Sequence, residues 1–274
     1  MSIPRFLSPR CISFGCALLC APAISQQPNS AATMNLMREW TRLQASWGTP
    51  AAQPVPGSSL QPIEKTREKA ADGHSVIHYN FKVLGLPGDT TYRMDFWPVG
   101  GPTNPFQTIA TGVRINKEGL VVCRPDMPCG DKKQLEYPLE VAIPGAALGD
   151  TERFILVSEK NPKVFVTGIA KPFPNHSTAG TCQLEITRIT PNGELLLLSG
   201  SGFPLNTKLT IKGDSAGENH LSSAQTDAQG TFLSAQLPFV VGKTSGTLAE
   251  TVTAGADCHP AISAEWGEDS HRLQ

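Results

Sequence analysis

Gly202-Phe203-Pro204-Leu205-Asn206-Thr207-Lys208-Leu209-Thr210-Ile211 repeats a grammar that the chain has already used at Gly85-Leu86-Pro87-Gly88-Asp89-Thr90-Thr91-Tyr92-Arg93-Met94. Gly and Pro fall in register, Asp89 meets Asn206, Thr90 meets Thr207, and Tyr92 and Met94 meet Leu209 and Ile211. Further on, Asn116-Lys117-Glu118-Gly119 answers Asp227-Ala228-Gln229-Gly230. From glycine to glycine the interval is 34 residues in the first copy (85 to 119) and 28 in the second (202 to 230). One longer loop accounts for the difference, and residues 98–106, with three prolines and two adjacent glycines, are where it fits. The chain therefore reads as two copies of one β-rich unit.

Around these anchors the apolar residues alternate with a period of two. Ile77, Tyr79, Phe81 and Val83 share one face of Ser75 to Leu84, with His78, Asn80 and Lys82 on the other. Tyr92, Met94 and Phe96 alternate in the same way against Arg93, Asp95 and Trp97. The first copy continues with strands over 108–115, 119–123, 135–143, 153–158 and 163–170. The second runs through 182–190, 194–199, 207–212, 221–226, 231–237, 247–254 and 258–266. Short strands at this spacing, with no helices between them, predict an all-β chain of antiparallel sandwiches. The boundaries read from the sequence are 63–175 for the first sandwich and 181–267 for the second, separated by the Pro/Ser/Gly stretch from Lys171 to Gly180.

Ahead of the first copy, residues 1–25 read as a secretory signal peptide. Arg5 and Arg10 open it, Cys11 to Leu19 is uncharged and mostly apolar, and Ala23-Ile24-Ser25 offers a cleavage site. The apolar run is shorter than the ~20 residues a spanning helix needs, so no membrane span is expected after signal removal. Residues 26–62 form an N-terminal segment in which Leu36, Trp40, Leu43 and Trp47 make one apolar stripe, predicting a short helix. Gly48 and Pro50 stop it, and a proline-rich linker follows.

Removing the leader also removes three cysteines and leaves Cys123, Cys129, Cys182 and Cys258. An even set in an exported protein predicts disulfides. Three pairings can be drawn; 123–129 with 182–258 is favoured because each bond stays within one copy of the repeat.

Gly200-Ser201-Gly202-Phe203-Pro204, Thr207 to Ile211 and Asp227-Ala228-Gln229-Gly230-Thr231-Phe232 resemble the bacterial immunoglobulin-like β-sandwich modules of exported proteins. There a Gly-Phe-Pro turn precedes a core strand and an Asp-x-x-Gly turn opens another. The layout after the leader is also similar to uncharacterised exported bacterial proteins carrying two such units. The match covers about 40 residues of the second copy and about 25 of the first. The resemblance implies a fold and an exported address, and it implies no particular activity.

The chemistry the sequence offers is sparse. The chain has 274 residues, a formal net charge of −1 and no basic block, which predicts no nucleic-acid partner. Gly242-Lys243-Thr244-Ser245 lacks the earlier glycine of a phosphate-binding loop, with Leu237 in its place. Ser199-Gly200-Ser201-Gly202 lacks the glycine spacing of a nucleophile elbow. None of the six histidines has zinc-ligand spacing, so neither a metal nor a cofactor is expected. Glu218 and His220 would share a strand face near Asp214, an arrangement read as a solvated polar loop. No acid is read as standing in an apolar setting that would raise its pKa.

Function is thus expected to be non-catalytic: binding, or a structural role in the cell envelope, with an unknown protein or glycan partner. The rivals are a hydrolase of an extracellular polymer with its site between domains, and a scaffold subunit of an envelope assembly. The candidate recognition residue is Trp97, which alternation sends to the face opposite Tyr92 and Met94, where an exposed indole could stack on a sugar.

Overall fold

The computed structural model describes residues 55–97, 107–125, 136–255, 257–268 and 270–274. The leader, the Leu36/Trp40/Leu43/Trp47 stripe, most of the linker, the 98–106 loop and Cys129 lie outside the described residues.

Among the described residues the chain is all-β, without a helix. The strands are β1 (Ser59–Lys69), β2 (Ser75–Leu84), β3 (Tyr92–Trp97), β4 (Gln107–Ile115), β5 (Val121–Cys123), β6 (Tyr137–Pro138), β7 (Val141–Pro144), β8 (Glu152–Ser158) and β9 (Phe165–Ala170). There follow β10 (Asn175–Ala179), β11 (Cys182–Arg188), β12 (Leu196–Ser201), β13 (Lys208–Ser215), β14 (Glu218–Gln225), β15 (Phe232–Gln236), β16 (Ser245–Thr253) and β17 (Ala261–Gly267). Every pairing is antiparallel.

Among the described residues four sheets result, with orders β1-β2-β7, β6-β5-β4-β3-β8-β9, β10-β11-β12-β15 and β14-β13-β16-β17. The first two bury a common core in which Ile77, Phe81 and Val83 of β2 meet Tyr92, Met94, Phe154 and Leu156. The last two bury another, joining Leu184, Ile186 and Leu198 to Leu209, Ile211, Val252 and Trp266. Each core is the inward half of the alternation visible in the sequence.

Six strands of the first unit match six of the second in order. The order β4-β3-β8-β9 is that of β14-β13-β16-β17, and β1-β2 stands where β11-β12 stands. In the second unit β15 fills the edge of β12. In the first, β7 takes the start of β2 (Val76 to Tyr79), while a bridge from Lys82 to Leu120 brings in the residues before β5. The turns match too. Gly85 and Gly202 both have φ of 74°, each ahead of its proline, a conformation that favours glycine. Asn116 Oδ1 accepts from the Glu118 and Leu120 amides, as Asp227 Oδ1 does from those of Gln229 and Thr231. One offset remains: the turn carbonyl of Gly119 accepts from Val83, two residues before Gly85, and that of Gly230 from Phe203, one residue after Gly202.

Three readings of the sequence need correction. Ser59 to Pro62 belong to β1 and are not linker. Asn175 to Ala179 form β10 and are not only a boundary. The stretch 135–143 contains two strands, β6 and part of β7.

Candidate functional site

The second unit is closed along one side, where β17 lies against β10 and β11. Along the other, β14 and β15 are the free edges of their two sheets. A cavity of about 250 Å³ opens here, lined among others by Ser215, His220, Gln236, Leu237, Phe239 and Leu248.

The cavity wall is built by three neighbouring strands. Gly213 of β13 pairs with His220 on one side and with Glu250 on the other. A Cβ at Gly213 would come within 2.0 Å of the His220 ring, so only glycine lets the imidazole lie across β13. His220 Nε2 thereby reaches to 3.0 Å of Glu250 Oε1. Glu250 occupies an inward position of β16 between Leu248 and Val252 and is 1% exposed. Burial pushes its carboxyl up, and the hydrogen bond from His220 works against that. The effect is a clamp that ties edge strand β14 to β16 across the intervening strand.

The rim is apolar. Ser215 Oγ donates to the Pro238 carbonyl and accepts from Trp266 Nε1 at 3.0 Å, which anchors the segment after β15. From that anchor Val240 turns into the core, while Phe239 and Val241 stand in solvent, Val241 at 91% exposure. On the face of β14 opposite His220, away from the cavity, Leu221 is 70% exposed. Ser215 is thus engaged on both sides. The outer edge of β14 presents main-chain donors and acceptors that no neighbouring strand takes up among the described residues.

The stretch around Glu218 and His220, expected as a solvated polar loop, is strand β14. Glu218 lines the same cavity, but Asp214 accepts from the Gly217 amide in a turn, and the acid that His220 meets is Glu250. Glu250 and Glu152 also overturn the expectation that no acid stands in an apolar setting. Glu152 is buried on β8 in line with Phe154 and Leu156, and burial, then the Asp150 charge, push it up to about 7. Acids at the inward positions of alternating strands were the available signal. The two lie in different units, so they do not form a carboxylate pair.

Trp97 does not hold the place expected of it. It is 3% exposed, on the face alternation assigned but with that face covered. It pairs across the strands with Arg153, whose guanidinium lies over the indole at 5.2 Å. Asp95, Arg153 and Thr167 beside it are buried as well. Period two gives the face of a side chain but not what covers that face. Trp97 is therefore no exposed recognition residue.

Cys182 and Cys258 are bonded, with Cα atoms 5.6 Å apart. The bond joins β11 to the segment before β17 and hence one sheet to the other. Cys123 is disulfide-bonded too, and Cys129 lies outside the described residues. Elsewhere the first unit carries a surface network in which His78 Nδ1 lies 2.7 Å from Glu140, which also pairs with Lys65. A second buried polar cluster lies where the units meet. Asp150 Oδ2 accepts from the Ala147 amide at 2.7 Å and faces His271 Nε2 at 3.0 Å, with Arg188 Nε 3.5 Å from Oδ1. Arg188 in turn donates to the carbonyls of Pro191, Glu265 and Ser270. Among the described residues, no group of three or more His, Cys, Asp or Glu could hold a metal ion.

No known family model matches the chain, and no curated protein matches it significantly.

Proposed function

We propose that this is a non-catalytic exported protein of two tandem immunoglobulin-like sandwiches, serving in the cell envelope by binding a protein partner along the open side of its second unit. The strand orders support the fold. With β11, β12, β13, β15, β16 and β17 taken as strands A, B, C, E, F and G, the sheets read A-B-E and C-F-G, with β10 added beside A and β14 beside C. The buried inter-sheet disulfide supports an oxidising compartment.

The observation that carries the function is β14 itself: an eight-residue edge strand, exposed along nearly its whole length and flanked by exposed Leu221, Phe239 and Val241. A free edge with apolar side chains beside it fits recognition of an extended segment, through main-chain hydrogen bonds and alternating side-chain contacts. The experiment is site-specific photo-crosslinking in the producing cell. A photoreactive residue at Phe239 should give discrete protein adducts, and one at Thr178 on β10 should give none. Equal or absent labelling at both positions would refute the reading.

A further inference from the structure

We infer that the protein captured by β14 is a second copy of this chain, paired antiparallel, edge to edge, about a two-fold axis at Leu221. The inference rests on the reading of the open side as a binding surface. It joins two four-stranded sheets into one of eight strands.

The other strand edges of the described residues are protected and β14 is not. β9 lies against the long β1, β17 against two strands, β10 and β11, and β14 only against the short β15. β6, β7, β10 and β15 are short, with 2, 4, 5 and 5 residues. β1 is long, but it carries Lys65, Arg67, Glu68 and Lys69, contains Pro62, and its register shifts between Glu64 and Thr66. Charges, prolines and bulges are what keep an edge from pairing. β14 has no Pro, Lys or Arg and runs beside β13 in unbroken register from Glu218 to Gln225.

Its sequence is also self-complementary. A two-fold axis normal to the sheet keeps every residue on its own face, so opposed residues must share a face. Pairing centred on Leu221 meets that condition throughout. Leu221 faces Leu221 of the second copy, Asn219 faces Ser223, His220 faces Ser222 and Glu218 faces Ala224. No like charges meet. The exposed leucines cover each other at the axis, and His220 is already turned towards Glu250. The clamp from His220 to Glu250 fixes the edge before a partner arrives, and closed two-fold pairing ends the assembly at a dimer.

Sedimentation equilibrium on the full chain tests this. The expected result is a concentration-dependent monomer–dimer equilibrium, weakened at least about tenfold by Leu221→Lys, which opposes lysine to lysine at the axis, combined with Ser223→Lys, which adds a like charge diagonal to that pair. Both sites are on the outer face, and near-ultraviolet circular dichroism checks that the variant remains folded. Register is tested with cysteines: under mild oxidation Leu221→Cys should form a covalent dimer. Ser223→Cys, which faces Asn219 of the second copy, should not. A wild-type monomer at every concentration, or equal crosslinking by the two variants, overturns the inference. A monomer whose Phe239 adducts contain a different protein overturns it too, while leaving the binding surface standing.

Discussion

Glu152 and Gly213 carry the sharpest consequences at the scale of single residues. The folded chain holds the Glu152 carboxyl neutral up to about 7, against 4.5 for an unperturbed one. Below pH 4.5 it is neutral folded or unfolded, and its contribution to stability is complete. As pH rises through 7 the unfolded chain ionises first, and up to about 3 kcal/mol is lost. Glu250, also raised by burial, adds a loss of the same sign. Denaturant titrations between pH 4.5 and 8 should therefore show wild-type stability falling, with a distinctly shallower fall for Glu152→Gln. Parallel curves for the two proteins would mean that Glu152 is ionised when folded. Gly213→Ala should cost about 1–3 kcal/mol, because its new methyl group collides with the His220 ring. That cost should shrink in a His220→Ala background; additive costs would place the problem elsewhere.

At the scale of elements, the matched turns and the disulfide can be tested in isolation. Asn116→Ala removes an acceptor shared by two amides and should cost about 1–2 kcal/mol. The value can be read from thermal unfolding. Opening the Cys182–Cys258 bond, which spans a separation of 76 residues, should cost roughly 4–5 kcal/mol in the chain-entropy model. Hydrogen exchange on reduction should then rise more in β11 and β17 than in β2 and β3. Strands were legible in the sequence where alternation was strong, as in β2, β13 and β16. The strands it missed have a different physical cause for their order. β1 is largely exposed and highly charged, and β10 reads Asn-His-Ser-Thr-Ala, so both are held by backbone pairing to β2 and β11. The turns were legible because only glycine suits a positive φ and only a short polar side chain makes the Asn116 and Asp227 hydrogen bonds. The open side was not, because the His220–Glu250 pair spans 30 residues of sequence and depends on a glycine between them.

At the scale of the whole molecule, the final residues tie one unit to the other. The Ser75 amide donates to the Gln274 carbonyl at 2.6 Å, and the Gln274 amide donates to Ala146 at 3.0 Å. Beneath this strap lie Asp150, Arg188 and His271. Asp150→Ala would leave the Arg188 charge buried without its carboxylate and should cost about 3 kcal/mol, measured by chemical denaturation. The same change should speed proteolysis between β9 and β10. The two units then present a fixed frame from which β14 projects its free edge. The direct measurement is hydrogen–deuterium exchange over residues 218–225, comparing the purified chain at high dilution with the chain in an extract of the producing cell. The account predicts fast exchange at dilution and strong protection in the extract, confined to β14 and the segment around Phe239. Exchange that is equally fast in both would mean that nothing occupies this edge, and would contradict the account.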